Sequence, residues 1–340
     1  MALSYFEQSA RYFARPHEHV PREPIEAPAA WCPADFAELP VERLSEAEQL
    51  SIEQAAVAAL ECGRPMVAVE RADVPLPGLE ERLADWTQTL RAGRGFVLIR
   101  GLPVERWPLE VTEMATWILG QHIGEAGPQN PQGETLGHVR DYDEEAVNPM
   151  VRRYRTTGNI DFHCDGADVV GLLCLRTAKR GGQSRIASSV TIFNHLLAEH
   201  PELAPRLFSS MYLDRRDEEK PGADPCAALQ PACYSAERGL STFYHSEYYR
   251  SAARHPGFEP DREALALLDA YDDIASRDSV YLDMWLQPGD LQLVSNHTVV
   301  HARTAYVDHE DPELKRHLLR LWLSYRTFDP ISDRISESDE

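Results

Sequence analysis

Apolar runs of strand length crowd the second half of this 340-residue chain, and most of them are joined by turns instead of regularly alternating with helices. They are VVGLLCLRTA (169–178), QSRIASS (183–189), VYLDMWL (280–286), LQLVSNHTVVHAR (291–303) and HLLRLWLSYRT (317–327). The first two flank Lys179-Arg180-Gly181-Gly182 and read as a hairpin, and Pro288-Gly289-Asp290 marks a later turn. Helical signals concentrate earlier. Ser45 and Glu48 have capping-box spacing ahead of a stretch ending near Gly63, LEERLADWTQTLRAG closes at Gly93, and PLEVTEMATWILG runs from Pro108 to Gly120. Two more helices are predicted over 191–208, broken at Pro201, and over 262–276. Helices first and mostly antiparallel strands after them describe an α+β unit with a mainly β core, a sandwich or barrel flanked by helices. A doubly wound parallel sheet is disfavoured, since no GxGxxG follows a strand.

One structural unit is expected. Residues 1–94 supply an irregular arm (1–40) and helices packed on the core, and 95–330 hold the core itself. Insertions near 124–160 and 209–260 are rich in turn formers and charge; loops this long in a compact domain are usually functional. The acidic tail 331–340 is expected to fray.

Charge narrows the partners. Lys and Arg number 34 against 55 Asp and Glu, a net −21 that repels nucleic acid and anionic membrane surfaces. No run approaches the ~20 apolar residues of a membrane span. The six cysteines form no CxxC pair and are too sparse for a disulfide scaffold, so reduced thiols and a cytoplasmic location are expected. A small molecule is the expected partner, and assembly into a homo-oligomer is left open.

Thirteen histidines make chance groupings easy, so each candidate needs a geometric reason. In NIDFHCDGAD, His163 and Asp165 are two apart on extended backbone and point to one side, with Cys164 turned away. His297 and His301 share strand parity, so periodicity does not choose between them. Two histidines and a carboxylate make the facial triad of non-haem iron oxygenases, although zinc hydrolases use the same ligand types. In KRHLLRLWLS, Arg316 and Arg320 face the same side of an apolar strand. Guanidinium groups in such a place need anions, and a carboxylate-bearing ligand suits their planar fork. A structural salt bridge is the competing explanation.

Taken together and in order, FHCDGADVVGLLCLR, GGQSRIASS, PGDLQLVSNHTVVHARTAY and KRHLLRLWLS resemble the taurine dioxygenase-like (TauD/TfdA-type) branch of Fe(II)/2-oxoglutarate-dependent oxygenases. The likeness runs from about Gly95 to Ser324. It implies a double-stranded β-helix (jelly roll) with Fe(II) held by His163, Asp165 and His301. It also implies that 2-oxoglutarate is bound by Arg316 and by the hydroxyl of Ser184, which follows the Gly-Gly turn where relatives carry a threonine. Arg320 falls where relatives often have a second arginine reaching co-substrate or substrate. The implied reaction consumes O2 and 2-oxoglutarate, releases succinate and CO2, and oxidises a substrate C–H bond, most simply by hydroxylation. Asp165 argues against halogenation, which needs that ligand position vacant. A small polar substrate, carboxylate- or amino-acid-like, is expected, with residues near 124–141 and the cluster Tyr244, His245, Tyr248 and Tyr249 at the mouth. Ordinary packing competes for the tyrosines, and His122, His138 and His245 are expected to be structural, not ligands. Two rivals stand beside the oxygenase: a non-catalytic jelly-roll protein binding a metabolite or metal, and a zinc hydrolase, disfavoured by the paired arginines and the lack of HExxH.

Overall fold

A computed structural model describes residues 4–142 and 153–325. Two facing sheets make its centre. Among the described residues the larger has seven strands, in the order Glu42–Arg43, Phe96–Arg100, Asp290–Ser295, Val169–Arg176, His317–Ser324 and Glu125–Gly127, with Leu136–Val139 also paired to His317–Ser324. The smaller runs Tyr281–Met284, Ser184–Ser188, Val299–Arg303 and Ile160–His163.

Strand alternation sorts the side chains into three apolar layers. Phe96, Val170, Val294 and Trp322 of the large sheet meet Ile186, Met284 and Val299 of the small one between the sheets. Their neighbours Val97, Ile99, Leu319, Leu321 and Leu323 turn outward, under the helices Glu46–Glu61, Glu80–Ala92 and Leu109–Ile123. On the small sheet Ala187 and Val300 face outward, against the helices Ser189–Glu199 and Arg262–Ala275. This is a jelly roll with helices on both flanks. The helix at Glu46 starts where the capping box requires: the Ser45 N–H donates to Glu48 Oε2 at 2.7 Å and the Glu48 N–H to Ser45 Oγ at 3.3 Å.

Several expectations are corrected. Val169–Arg176 and Ser184–Ser188 do not form a hairpin, because they lie in opposite sheets. The Gly181-Gly182 turn, with φ of 80° and 75°, carries the chain from one sheet to the other, and Arg180–Gly181 pairs with Tyr306–Val307. The run 291–303 is likewise two strands, broken between Ser295 and Val299 and shared between the sheets. The N-terminal arm contains a helix, Tyr5–Phe13, capped by Ser4 and Glu7. Residues 211–240 form two ordered ribbons, Met211–Asp214 with Cys226–Leu229 and Ala232–Ser235 with Gly239–Thr242. The tail 331–340 and the end of the final predicted strand lie outside the described residues. All six cysteines are free thiols. No helix among the described residues is long and apolar enough to cross a membrane.

Candidate functional site

A cavity of about 530 Å³ draws walls from both sheets: Leu172, Arg320 and Trp322 from the larger, His163, Ser184 and His301 from the smaller. His163 ends its strand and is the register partner of His301, which sets their ring centres 4.3 Å apart. Asp165 lies two residues on, where the chain leaves the sheet. Its N–H donates to Asn296 Oδ1 at 3.0 Å, while Asn296 Nδ2 donates to the Ala167 carbonyl at 2.8 Å. Asn296 is fully buried and so clamps the turn that presents the carboxylate.

One ligand atom from each of His163, Asp165 and His301 lies within 4.8 Å of the others, and His301 Nε2 is 3.6 Å from Asp165 Oδ2. Asp165 Oδ2 and His301 Nδ1 are buried with no hydrogen-bond partner. His163 Nδ1 lies 2.9 Å from the Asp161 carbonyl, so it carries the proton and donates, leaving the Nε2 lone pair available. Burial and the neighbouring His301 push the His163 imidazole down to about 4, so it is neutral at pH 7, as a metal ligand must be. Burial alone would raise the Asp165 carboxyl. Arg320 first, and the adjacent His301, outweigh it and hold the group ionised, well below the usual carboxylate range. Two imidazoles and one carboxylate converging on one point fit a divalent transition metal.

His297 and His301 differ in their hydrogen bonds. His297 commits Nε2 to Asp168 Oδ1 at 2.8 Å and Nδ1 to Ser241 Oγ at 2.7 Å, so neither nitrogen is available to a metal. Cys164 points away from the cluster. Its thiol lies 3.7 Å from the carbonyls of both Thr242 and Val299, and burial pushes it up to about 12.

Arg316 and Arg320 both line the cavity and are 5% and 7% exposed. Their surroundings differ. Arg320 donates from Nε to Gln129 Oε1 at 2.6 Å, approaches Asp165 Oδ1 at 3.7 Å and lies over the Tyr154 ring. Arg316 Nη1 is buried without a partner, and burial depresses the basicity of its guanidinium. Ser184 lies close by, but its hydroxyl donates to Gln292 Oε1 at 2.9 Å. A hydrogen bond from Ser184 to a bound anion therefore requires the Gln292 amide to turn over and donate instead.

Tyr244 does not reach the cavity. Its ring stacks on Tyr271 at 3.8 Å and its hydroxyl donates to Asp272 Oδ1 at 2.7 Å, so it is a core residue, and Tyr249 is buried likewise. His245 does line the cavity, with its ring 5.1 Å from that of His163 and stacked on Tyr248 at 3.5 Å. His122 bonds the Val74 carbonyl and His138 bonds His317. Of the loop 124–141, Val139 reaches the wall. Contributors not placed at the site by the sequence include the helix Tyr5–Phe13, which puts Tyr5, Phe6 and Phe13 on the wall, and Tyr154, Trp322 and Arg303.

A facial cluster of two histidines and one carboxylate inside a jelly roll, beside buried guanidinium groups, defines the class of non-haem iron oxygenases. The chain belongs to the taurine catabolism dioxygenase TauD, TfdA family, whose model matches residues 61–322. It is a non-haem Fe(II)- and 2-oxoglutarate-dependent dioxygenase, which sets aside the hydrolase and binding-protein readings. FR-33289 synthase from Streptomyces rubellomurinus is 35% identical over 287 residues, covering 83% of this chain and 84% of the relative. Among solved structures, asparagine oxygenase in complex with Fe(II), 3-hydroxyasparagine and succinate superposes with a TM-score of 0.63 at 16% identity, covering 84% of this chain and 93% of its own. The non-heme iron oxygenase OrfP with Fe and alpha-ketoglutaric acid gives 0.62 at 17% identity, covering 87% and 96%.

Proposed function

We propose that this chain hydroxylates a C–H bond of a small polar substrate, carboxylate- or amino-acid-like, with release of succinate and CO2. His163, Asp165 and His301 hold the iron, Arg316 with Ser184 receives the distal carboxylate of 2-oxoglutarate, and Arg320 stands between co-substrate and substrate. Iron supplies dioxygen activation. The protein supplies placement and electrostatics. The observation that carries the reading is the convergence, on one cavity, of unmet metal-ligand lone pairs and an unmet guanidinium N–H.

Arg320 has a double task in this reading. It keeps Asp165 ionised and, through Gln129 and Tyr154, has a fixed direction, so it orients rather than follows the molecule beside it. His245 and Tyr248 form a flat wall near the iron ligands, against which a substrate can lie. The hydroxyamino acid bound by asparagine oxygenase supports an amino-acid-like substrate here. Free thiols support action in a reducing cytoplasm. The test is a screen of amino acids and small carboxylates for acceleration of succinate release, run beside Asp165→Ala. A hit with the wild type and none with the folded variant is the expected result. Equal succinate release by the variant would remove Asp165 from the centre.

A further inference from the structure

Arg303 sits in the same cavity wall as Arg316, and the two guanidinium carbons lie 4.9 and 5.1 Å from the centre of one ring, Tyr306. Arg303 is 6% exposed. Its Nη2 donates to the carbonyls of Thr156 and Gly158, while its Nε and Nη1 meet nothing. With Arg316 Nη1, three buried guanidinium nitrogens in this one wall lack partners. The carboxylate of Asp308 acts on Arg316 by its charge but hydrogen-bonds neither guanidinium: its Oδ1 accepts from the backbone N–H groups of His309 and Arg316, and its Oδ2 is buried without a partner. Two like charges buried this close repel, and each unmet N–H adds a desolvation penalty. An anion received by both guanidinium groups answers the charge and the vacant donors together.

We propose that Arg303 is a second arginine of the co-substrate site and that Arg303 and Arg316 jointly receive the distal carboxylate of 2-oxoglutarate. The inference rests on the function proposed above and deepens it. Arg303 shares its strand with His301 and is the register partner of Ser184. Its Nη2 holds the carbonyls of residues 156 and 158, just ahead of the strand Ile160–His163. Arg303 therefore ties the far end of the co-substrate to both strands that carry histidine ligands. The consequence is selectivity: the site discriminates strongly against an oxo-acid of the same length that lacks the distal carboxylate.

The experiment uses the intact protein loaded anaerobically with Fe(II). It is titrated with 2-oxoglutarate and separately with 2-oxopentanoate, following the visible absorption of the iron complex and the heat of binding. Arg303→Gln is expected to weaken 2-oxoglutarate by about 10- to 100-fold while changing 2-oxopentanoate by less than about threefold, so the ratio of the two constants collapses. Arg316→Gln serves as the reference for that collapse. Arg303→Lys keeps the charge without the fork, and its ratio should fall between wild type and Arg303→Gln. If Arg303→Gln weakens both ligands equally, Arg303 only props the 156–158 segment and the proposal is overturned. An unchanged ratio in folded Arg303→Lys would overturn it as well, which covers the case in which Arg303→Gln does not fold. Absence of any response in the wild type would instead bring down the underlying iron and co-substrate assignment.

Discussion

Substituting Gly182 by alanine separates backbone strain from damage to the co-substrate site. Gly182 has φ of +75°, a conformation that costs an L-residue about 1–2 kcal/mol. An added Cβ would stand 3.1 Å from Arg316 Nε and 3.4 Å from both Arg316 Cδ and Tyr306 Cβ. Those contacts are tight without being impossible, so the guanidinium gives way by a few tenths of an ångström. A shift of that size in a charge-assisted pair weakens it by roughly 0.5–1.4 kcal/mol, or about 2- to 10-fold in the dissociation constant. Gly257 is the matched control, since its φ is +88° and nothing lies within 4 Å of the Cβ position. In urea unfolding both alanine variants are expected to lose about 1–2 kcal/mol. In anaerobic titration with 2-oxoglutarate, Gly182→Ala alone should lose affinity. If it binds like Gly257→Ala, Arg316 does not meet the co-substrate beside this turn, and the reasoning fails.

Other substitutions probe the rest of the site. His297→Ala leaves Asp168 without its imidazole partner and should cost about 2–4 kcal/mol in stability, yet still load one iron. His301→Ala should do the reverse, and iron content after anaerobic loading decides between them. Burial acts to raise the Asp214 carboxyl, but Arg254 and the Arg216 N–H pull it down to about 2, so its contribution to stability is intact above the unfolded value near 4 and is lost as pH falls toward 2. Wild type should therefore lose stability relative to Asp214→Asn across that window, and parallel curves would contradict the assignment. Gln8, fully buried, donates to the Pro128 carbonyl and holds the helix Tyr5–Phe13 against the cavity. Gln8→Ala should cost about 1–2 kcal/mol and raise KM for the substrate while leaving KM for 2-oxoglutarate unchanged.

What the sequence discloses about this site depends on how local each signal is. The same-side placement of His163 and Asp165 follows from two-residue alternation, and so does that of Arg316 and Arg320. The same rule would have served further. Arg303 has the parity of His301, and Tyr244 has the parity opposite to His245; alternation alone thus brings the first into the cavity and turns the second into the core. Other features are not local. The partners of His297, Asp168 and Ser241, lie 129 and 56 residues away, so parity could not tell His297 from His301. Sheet membership is equally remote. A Gly-Gly turn between two apolar runs looks the same whether it closes a hairpin or passes the chain between sheets. The helix Tyr5–Phe13 did carry a local mark, the Ser4–Glu7 capping box, obscured by the charged and polar residues around it.

The central claim is that His163, Asp165 and His301 assemble an iron centre beside arginines that hold 2-oxoglutarate. Metal-free protein under anaerobic conditions tests it most directly, with Fe(II) added first, 2-oxoglutarate second, and the visible spectrum recorded at each step. A weak charge-transfer band that requires both additions, and is absent from folded Asp165→Ala, is the expected result. A folded, metal-free wild type that shows no band after both additions would contradict the account.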